Sequence, residues 1–115
     1  MTDTSLPRIP FAGRSLTHGG RTFELPHQIL DAIPFQHGVA VIYDYMEFPQ
    51  GRPANNLVAF DAAGRELWTA ENLNQPAAAY TRFVSASPLR ANNFCSFQCT
   101  LDPTTGKIVE SIFYK

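Results

Sequence analysis

The chain has 115 residues, of which 44% are hydrophobic, and its formal net charge is −1 at pH 7. This length predicts one domain over residues 1–115, with a core large enough to need no disulfide or metal ion. The near-neutral charge excludes the basic surface that binding to nucleic acid requires, so we expect no nucleic-acid partner.

The start of the chain, residues 1–8, lacks the apolar stretch of a secretory signal. No apolar run in the sequence approaches the ~20 residues that a membrane-spanning helix needs. These two features predict a cytoplasmic protein with no membrane partner.

Residues 14–25 contain two strand-like runs separated by Gly19 and Gly20. Two glycines between such runs are typical of a two-residue hairpin turn, so we predict a structural role for both. The next residues, 26–33, favour one short helical turn, which Pro34 would end.

Residues 39–48 form the strongest predicted strand, with the sequence V-A-V-I-Y-D-Y-M-E-F. Its first half is apolar on both faces, which is expected of a central strand covered on both sides. Its second half alternates, and a loop with two prolines and a glycine follows at residues 49–53.

An aspartate–glycine pattern then occurs twice. Asp61 and Gly64 separate one pair of apolar runs, and Asp102 and Gly106 separate a second pair near the C-terminal end. An aspartate at the first position of a turn accepts hydrogen bonds from backbone N–H groups, and a glycine at its end adopts the left-handed conformation that hairpin loops need. We therefore predict structural turn roles for these four residues.

Residues 94–101 alternate between polar and apolar side chains, and residues 107–115 supply a partner strand. Consecutive hairpins without helical crossovers are typical of an antiparallel meander. The sequence therefore predicts an all-β fold, an antiparallel meander of about seven or eight strands that forms a sandwich or open barrel. At most one short helical turn is expected.

The hairpin that begins N-L-V-A-F-D at residues 56–61 and continues through Gly64 to Leu67 and Trp68 resembles the signature of quinoprotein-type β-propeller blades. Residues 101–109 resemble it as well. In such blades the tryptophan packs between neighbours. A closed propeller needs four or more blades of about four strands, and this chain has material for about two, so a propeller formed by one chain is excluded.

The layout is also similar to that of small uncharacterised bacterial proteins of about this size. Those proteins combine an N-L-x-A-[FY]-D-x-x-G-x-x-L-W hairpin with a terminal D-x-x-T-G-K hairpin and an aromatic-Lys ending, which residues 113–115 supply here. Some proteins of this type are immunity partners of secreted bacterial toxins. The resemblance implies a protein partner, such as a cognate toxin, and defines no site residues.

The sequence lacks the common catalytic motifs: it has no G-x-S-x-G, no Walker loop, no H-E-x-x-H and no G-x-G-x-x-G. The remaining catalytic arrangement is a cysteine nucleophile with a histidine base. Its members would be Cys95 or Cys99 with His18, His27 or His37. Because the cysteines lie on an alternating apolar strand face, where a thiolate is disfavoured, we favour a protein without catalytic residues.

The same two cysteines are expected to be free thiols. Four residues of strand separate their Cα atoms by roughly 13 Å, which is beyond the reach of a disulfide. A C-x3-C pair without a nearby histidine is not a zinc motif, and His27 and His37 lack ligand partners at metal-binding spacing. We therefore predict no metal and no cofactor.

The strongest candidate for a partner-binding surface is the end of the 39–48 strand with the loop that follows it. Its residues are Tyr43, Asp44, Tyr45, Glu47, Arg52 and Asn55. Tyrosine and arginine anchor interfaces, and carboxylates beside them would mask the basic groove of a toxin that handles nucleic acid or nucleotides. The alternative is that the tyrosines pack inside the sheet and the charges are solvated.

Two functions remain open. The first is a small non-catalytic protein-binding module, an immunity-type inhibitor that occludes a partner toxin or enzyme. The second is a small-ligand-binding or enzymatic domain with a pocket inside the curled sheet, lined by the tyrosines and Asp44. An exposed acidic and aromatic patch over a filled core would support the first, and a cavity containing Asp44 or a histidine would support the second. An open sheet edge would also allow a homo-oligomer.

Overall fold

The computed structural model describes residues 6–75 and 77–114. The first five residues of the chain and the terminal lysine of the aromatic-Lys ending therefore lie outside the described residues. Within the described ranges the chain forms eleven strands. They are β1 (Phe11–Ala12), β2 (Ser15–His18), β3 (Arg21–Glu24), β4 (Ile29–Phe35), β5 (Gly38–Tyr43), β6 (Leu57–Phe60), β7 (Glu66–Thr69), β8 (Tyr80–Ala86), β9 (Leu89–Asn93), β10 (Phe97–Leu101) and β11 (Ile108–Phe113).

The strands form three antiparallel sheets in chain order: β1-β2-β3, β4-β5-β6-β7 and β8-β9-β10-β11. The predicted all-β meander is confirmed, in a sandwich-like arrangement. A 3₁₀ turn at Tyr45–Glu47 is the one helical element among the described residues. The predicted limit of one short helical turn is confirmed, but the turn lies at a different position from the predicted one. The predicted strand number was too low.

The β4–β7 sheet lies between the other two. Ile42 and Leu57 of this sheet pack in one core cluster with Phe83 of the β8–β11 sheet. Val41 packs in a second cluster with Leu16 of the β1–β3 sheet. Because Val41 and Ile42 are sequence neighbours that face opposite layers, β5 is apolar on both faces, as predicted for a central strand.

The segment predicted to make a helical turn, residues 26–33, instead enters β4. Ile29 pairs with Tyr43 and Ile33 pairs with Ala40 of β5. Pro34, which was predicted to end the helical turn, lies inside this strand. β4 is an edge strand of its sheet, where a residue without an N–H group costs no ladder hydrogen bond.

Two predicted strands are shorter than expected. The 39–48 strand ends at Tyr43, because the Asp44 carboxylate accepts a hydrogen bond from the Met46 N–H (2.9 Å) and starts the 3₁₀ turn. The 94–101 strand begins only at Phe97, since residues 94–96 form a turn in which Ser96 has a φ of 69°. Residues 89–93, which the prediction left out, form β9 and account for part of the larger strand number.

The hairpin turns have the geometry that their residue types favour. Asp61 Oδ1 accepts hydrogen bonds from the N–H groups of Arg65 and Ala63, both at 2.9 Å, and these bonds hold the pKa of Asp61 below its ordinary value. Asp102 Oδ1 accepts from the Thr104 N–H at 2.8 Å. Each turn is closed by a glycine in the left-handed region, Gly64 and Gly106, and Gly19 and Gly20 form the two-residue β2–β3 turn.

Two buried polar side chains join the β4–β7 sheet to the β8–β11 sheet. The Asn56 amide donates to the carbonyl oxygens of Tyr43 (2.9 Å) and Tyr80 (2.8 Å), and its Oδ1 accepts from the Tyr80 N–H (3.0 Å). The Asp31 carboxylate accepts from the Phe83 N–H (2.9 Å) and from the Arg8 Nε (3.0 Å). These bonds fix the relative position of the two sheets.

Trp68 of β7 forms a third link between these sheets. Its indole Nε1 donates to the carbonyl oxygen of Pro103 in the β10–β11 turn, at 2.9 Å. Its ring lies directly against Gly106, where a Cβ atom would overlap the indole. The β10–β11 turn therefore rests on the indole of the neighbouring sheet.

Candidate functional site

The six residues predicted to bind a partner occupy different environments. Tyr43 is 3% exposed and packs in the cluster with Leu16 and Val41. Burial, with the charge of Glu66 as a smaller cause, raises the pKa of Tyr43 to about 12. Tyr43 is therefore a neutral core residue with no surface to offer a partner.

The carboxylates of Asp44 and Glu47 form hydrogen bonds with other groups of the chain. Asp44 caps the 3₁₀ turn through the Met46 N–H. Glu47 Oε1 lies 3.0 Å from His27 Nδ1 and accepts a hydrogen bond from the Gln28 N–H at 3.3 Å. These contacts hold the 44–48 segment against the start of β4, so both carboxylates shape the surface beside them.

Tyr45 and Arg52 lie on the walls of a surface groove of about 300 Å³, which we call the Tyr45–Phe94 groove. Its lining residues are Tyr45, Met46, Phe48, Pro49, Gln50, Arg52, Ala54, Ala77, Ala79 and Phe94. Asn55, the sixth predicted residue, is exposed and does not line it. The structure thus brings two of the six predicted residues into one site.

Aromatic side chains from distant parts of the chain form the groove. The rings of Tyr45 and Phe94 meet edge to face with their centroids 4.8 Å apart. Phe94 is 54% exposed and Met46 is 70% exposed, and both side chains line the groove. Large, solvent-exposed apolar side chains that line a concave surface are typical of a binding site.

Hydrogen bonds to backbone carbonyls hold both groove walls in place. The Phe94 N–H donates to the Ala79 carbonyl oxygen at 2.9 Å. The Asn72 side-chain amide donates to the Ala54 carbonyl oxygen at 2.6 Å. The groove is therefore preformed, with its backbone fixed by bonds to the neighbouring segments.

The groove carries one charge among its lining residues, the guanidinium of Arg52. In the described part of the chain, Arg52 forms no salt bridge. A cation at the rim of an apolar groove favours a ligand that combines apolar groups with a carboxylate.

Phe94 and Met46 are the two large exposed apolar residues of the groove, and neither was among the six predicted site residues. Phe94 begins the predicted 94–101 strand and Met46 lies in the predicted 39–48 strand, so both were assigned to regular strands. The available signal was the A-N-N-F-C-S sequence at residues 91–96, whose asparagines and serine favour a turn. A turn at this position points Phe94 away from the sheet.

A second, more open depression of about 350 Å³ lies at the other end of the middle sheet. His37, Leu67, Trp68, Pro103 and Thr104 line it. Its polar groups largely form hydrogen bonds within the chain: His37 Nε2 lies 3.4 Å from Thr104 Oγ1, and the Trp68 indole N–H donates to the Pro103 carbonyl oxygen.

The cysteines differ in accessibility, and both are free. Cys99 is fully buried in the core, and burial raises the pKa of its thiol. Cys95 is partly exposed, and its Sγ donates to Gln75 Oε1 at 3.3 Å. Neither thiol has a histidine as a hydrogen-bond partner among the described residues.

We expect the thiols to react at very different rates with Ellman's reagent in the folded protein. Cys95 should react readily, whereas Cys99 should react on the order of a hundredfold more slowly, because its reaction requires local opening of the core. The Cys95→Ser and Cys99→Ala variants assign the two phases. A fast phase that persists in Cys95→Ser would contradict the buried position of Cys99.

Residues 6–75 and 77–114 contain no group of three or more His, Cys, Asp or Glu side chains placed to bind a metal ion. The same residues contain no helix with the length and hydrophobicity of a membrane span.

Comparison with known families gives one match. A sequence model described as a domain of unknown function, DUF7957, matches residues 6–113. The chain belongs to the DUF7957 family. No curated protein and no solved structure matches the chain. The resemblances to propeller blades and to immunity proteins therefore stay predictions.

Proposed function

We propose that this chain is a non-catalytic binding module whose Tyr45–Phe94 groove holds an apolar segment of a partner protein. The observation that supports this most directly is the exposure of Met46 and Phe94 at a preformed groove. Burying one such side chain in a complex contributes roughly 1.5–3 kcal/mol of favourable free energy. Methionine also adapts its shape to different partners, as is typical of peptide-binding surfaces.

Arg52 determines which polar group the proposed partner should carry. A guanidinium beside apolar walls pairs with a carboxylate, from an aspartate, a glutamate or a chain terminus. The proposed ligand is therefore a segment with an aromatic or long aliphatic side chain in the groove and a carboxylate beside Arg52.

More specifically, we propose that the partner is a toxin or another enzyme whose active site this chain covers. The engaged carboxylates of Asp44 and Glu47 leave the Arg52 cation as the charge that orients the partner. An inhibitor of this kind would abolish the activity of its partner on binding, without turnover. The free thiols fit a reducing compartment, so the proposed location is the cytoplasm.

Selection from a random peptide display library tests the groove and its charge preference. We expect the wild-type protein to enrich peptides that carry an apolar side chain next to a carboxylate. Arg52→Glu should bind these peptides about tenfold more weakly or worse and should select basic residues instead, because the charge at the rim is reversed. Isothermal calorimetry on the selected peptides measures the difference.

Arg14→Glu is the matched control for this experiment. Arg14 is exposed in the β1–β2 turn and does not line the groove, so the same charge reversal there should leave binding unchanged. Phe94→Ala should weaken binding while retaining the charge preference. Identical peptide enrichment by the wild type and Arg52→Glu would contradict the proposal.

The small-ligand alternative has one observation in its favour, the depression beside His37. A ligand in that depression would bind equally well to the wild type and Arg52→Glu and would be lost in His37→Ala. This pattern would replace the groove proposal with the alternative.

A further inference from the structure

The outermost strand β11 concentrates exposed apolar surface. Nine large hydrophobic side chains are exposed in the described part of the chain. Four of them lie in β11 or directly after it: Val109, Ile112, Phe113 and Tyr114. Natural edge strands are usually protected by charged side chains, proline or a covering element, and residues 109–113 contain one charged residue, Glu110, and no lysine or proline.

The backbone of β11 presents unused hydrogen-bonding groups at this edge. The Tyr114 N–H donates to the Ser96 carbonyl oxygen at 2.9 Å, so the backbone groups of Tyr114 point toward β10. Because these groups alternate along an antiparallel strand, those of Ser111 and Phe113 point away from β10. Within residues 6–75 and 77–114 they meet no partner strand, because β11 ends the order of its sheet.

One end of the same edge is covered by a side chain. The Ile108 N–H donates to Glu71 Oε1 at 2.8 Å, which occupies the edge at the start of β11. The open part of the edge is therefore residues 109–113. Its length is that of a typical strand, which is enough for strand pairing.

We propose that two copies of this chain pair through β11 in an antiparallel arrangement, with Ser111 of one copy opposite Ser111 of the other. The outward N–H and C=O groups of the two serines then bond to each other across the two-fold axis. The two β8–β11 sheets join into one continuous eight-stranded sheet. This interface lies outside the Tyr45–Phe94 groove and stands independently of the proposed function.

In this register the face of β11 that carries Ser111 pairs favourably with itself, and on the other face Glu110 of each copy lies opposite Ile112 of the other. Val109 of each copy lies opposite Phe113 of the other, and such aliphatic–aromatic pairs stabilise antiparallel strands. A shift of two residues in one direction places Glu110 opposite Glu110, which is repulsive. A shift of two residues in the other direction places Ser111 opposite Phe113 and loses both Val109–Phe113 pairs. The sequence of the strand therefore favours a second copy in this register.

Disulfide trapping tests the register. In a Cys95→Ser background, Ser111→Cys should form a covalent dimer under mild oxidation. Directly opposed Cα atoms lie about 5.5 Å apart in a hydrogen-bonded pair, which is within the range of a disulfide. Val109→Cys alone should not cross-link, whereas Val109→Cys combined with Phe113→Cys should. The Cys95→Ser protein without a new cysteine is the blank.

Light scattering after gel filtration tests the dimer without cross-linking. The wild type should show twice the monomer mass at high concentration and dissociate on dilution. Ser111→Lys places two ammonium groups opposite each other and should give a monomer. Ser111→Pro should do the same, since it removes an N–H that β10 does not use. Tryptophan fluorescence checks that both variants keep the folded core.

A wild type that is monomeric at every concentration would overturn the proposal. Equal cross-linking of Ser111→Cys and Val109→Cys would overturn it as well, because random collisions would then explain the disulfide. If the chain stays monomeric and its β11 strand binds a different protein, that protein and not a second copy is the partner of this edge.

Discussion

Replacing Asn56 with alanine is expected to lower the free energy of unfolding by about 4 kcal/mol. Asn56 is fully buried, and its amide bonds to three backbone groups that belong to two different sheets. Alanine leaves the Tyr80 N–H and the carbonyl oxygens of Tyr43 and Tyr80 without partners in the interior. Leaving one buried polar group unsatisfied costs about 1–3 kcal/mol, so a large total follows.

Asn55→Ala is the matched control for this substitution. Asn55 precedes Asn56 in the chain and is exposed, so its replacement should change stability by less than ~0.5 kcal/mol. Urea denaturation of both variants measures the contrast. Equal stabilities would show that the Asn56 amide does not hold the two sheets together.

Replacing Gly106 with alanine is expected to lower the free energy of unfolding by about 3–4 kcal/mol. Gly106 has a φ of +77°, which costs an L-residue roughly 1–2 kcal/mol. The added Cβ would also overlap the Trp68 ring, and inserting a methyl group into packed surroundings costs about 1–3 kcal/mol more.

Gly51→Ala separates the two contributions. Gly51 has a similar φ of +80°, but a Cβ atom at that position would meet nothing within 4 Å. Its replacement should therefore show the backbone cost alone. Trp68 is the one tryptophan of the sequence, so its fluorescence should change in Gly106→Ala and not in Gly51→Ala. Equal destabilisation by both substitutions would show that the indole moves aside at little cost.

The hairpin turns could be predicted because their chemistry is local. An aspartate that accepts N–H bonds within four residues and a glycine with positive φ form the same turn in many tertiary contexts, and Asp61 and Gly64 do so here. The central position of β5 was also visible, because its apolar residues are consecutive. The strand at residues 29–35 could not be predicted, because a short apolar run that contains a proline fits a helical turn equally well. Only the position of β4 at the edge of its sheet shows that the proline is compatible with a strand.

The groove could be predicted only in part, because its walls meet through tertiary contacts. Tyr45 and Arg52 lie in one irregular segment that composition marks as a candidate surface. Phe94 reaches Tyr45 only after the β8–β11 sheet has packed on the middle sheet. The same limit explains the two asparagines before β6, because which of them is buried depends on the position of Tyr80.

The order of the three layers follows the order of the chain, which has a consequence during synthesis on the ribosome. The first two sheets are complete before the β8–β11 sheet has emerged. Until it arrives, one face of the middle sheet, including Ile42, Leu57 and Trp68, stays in water. A nascent chain stalled after β7 should therefore recruit a chaperone or aggregate, and the completed protein should not.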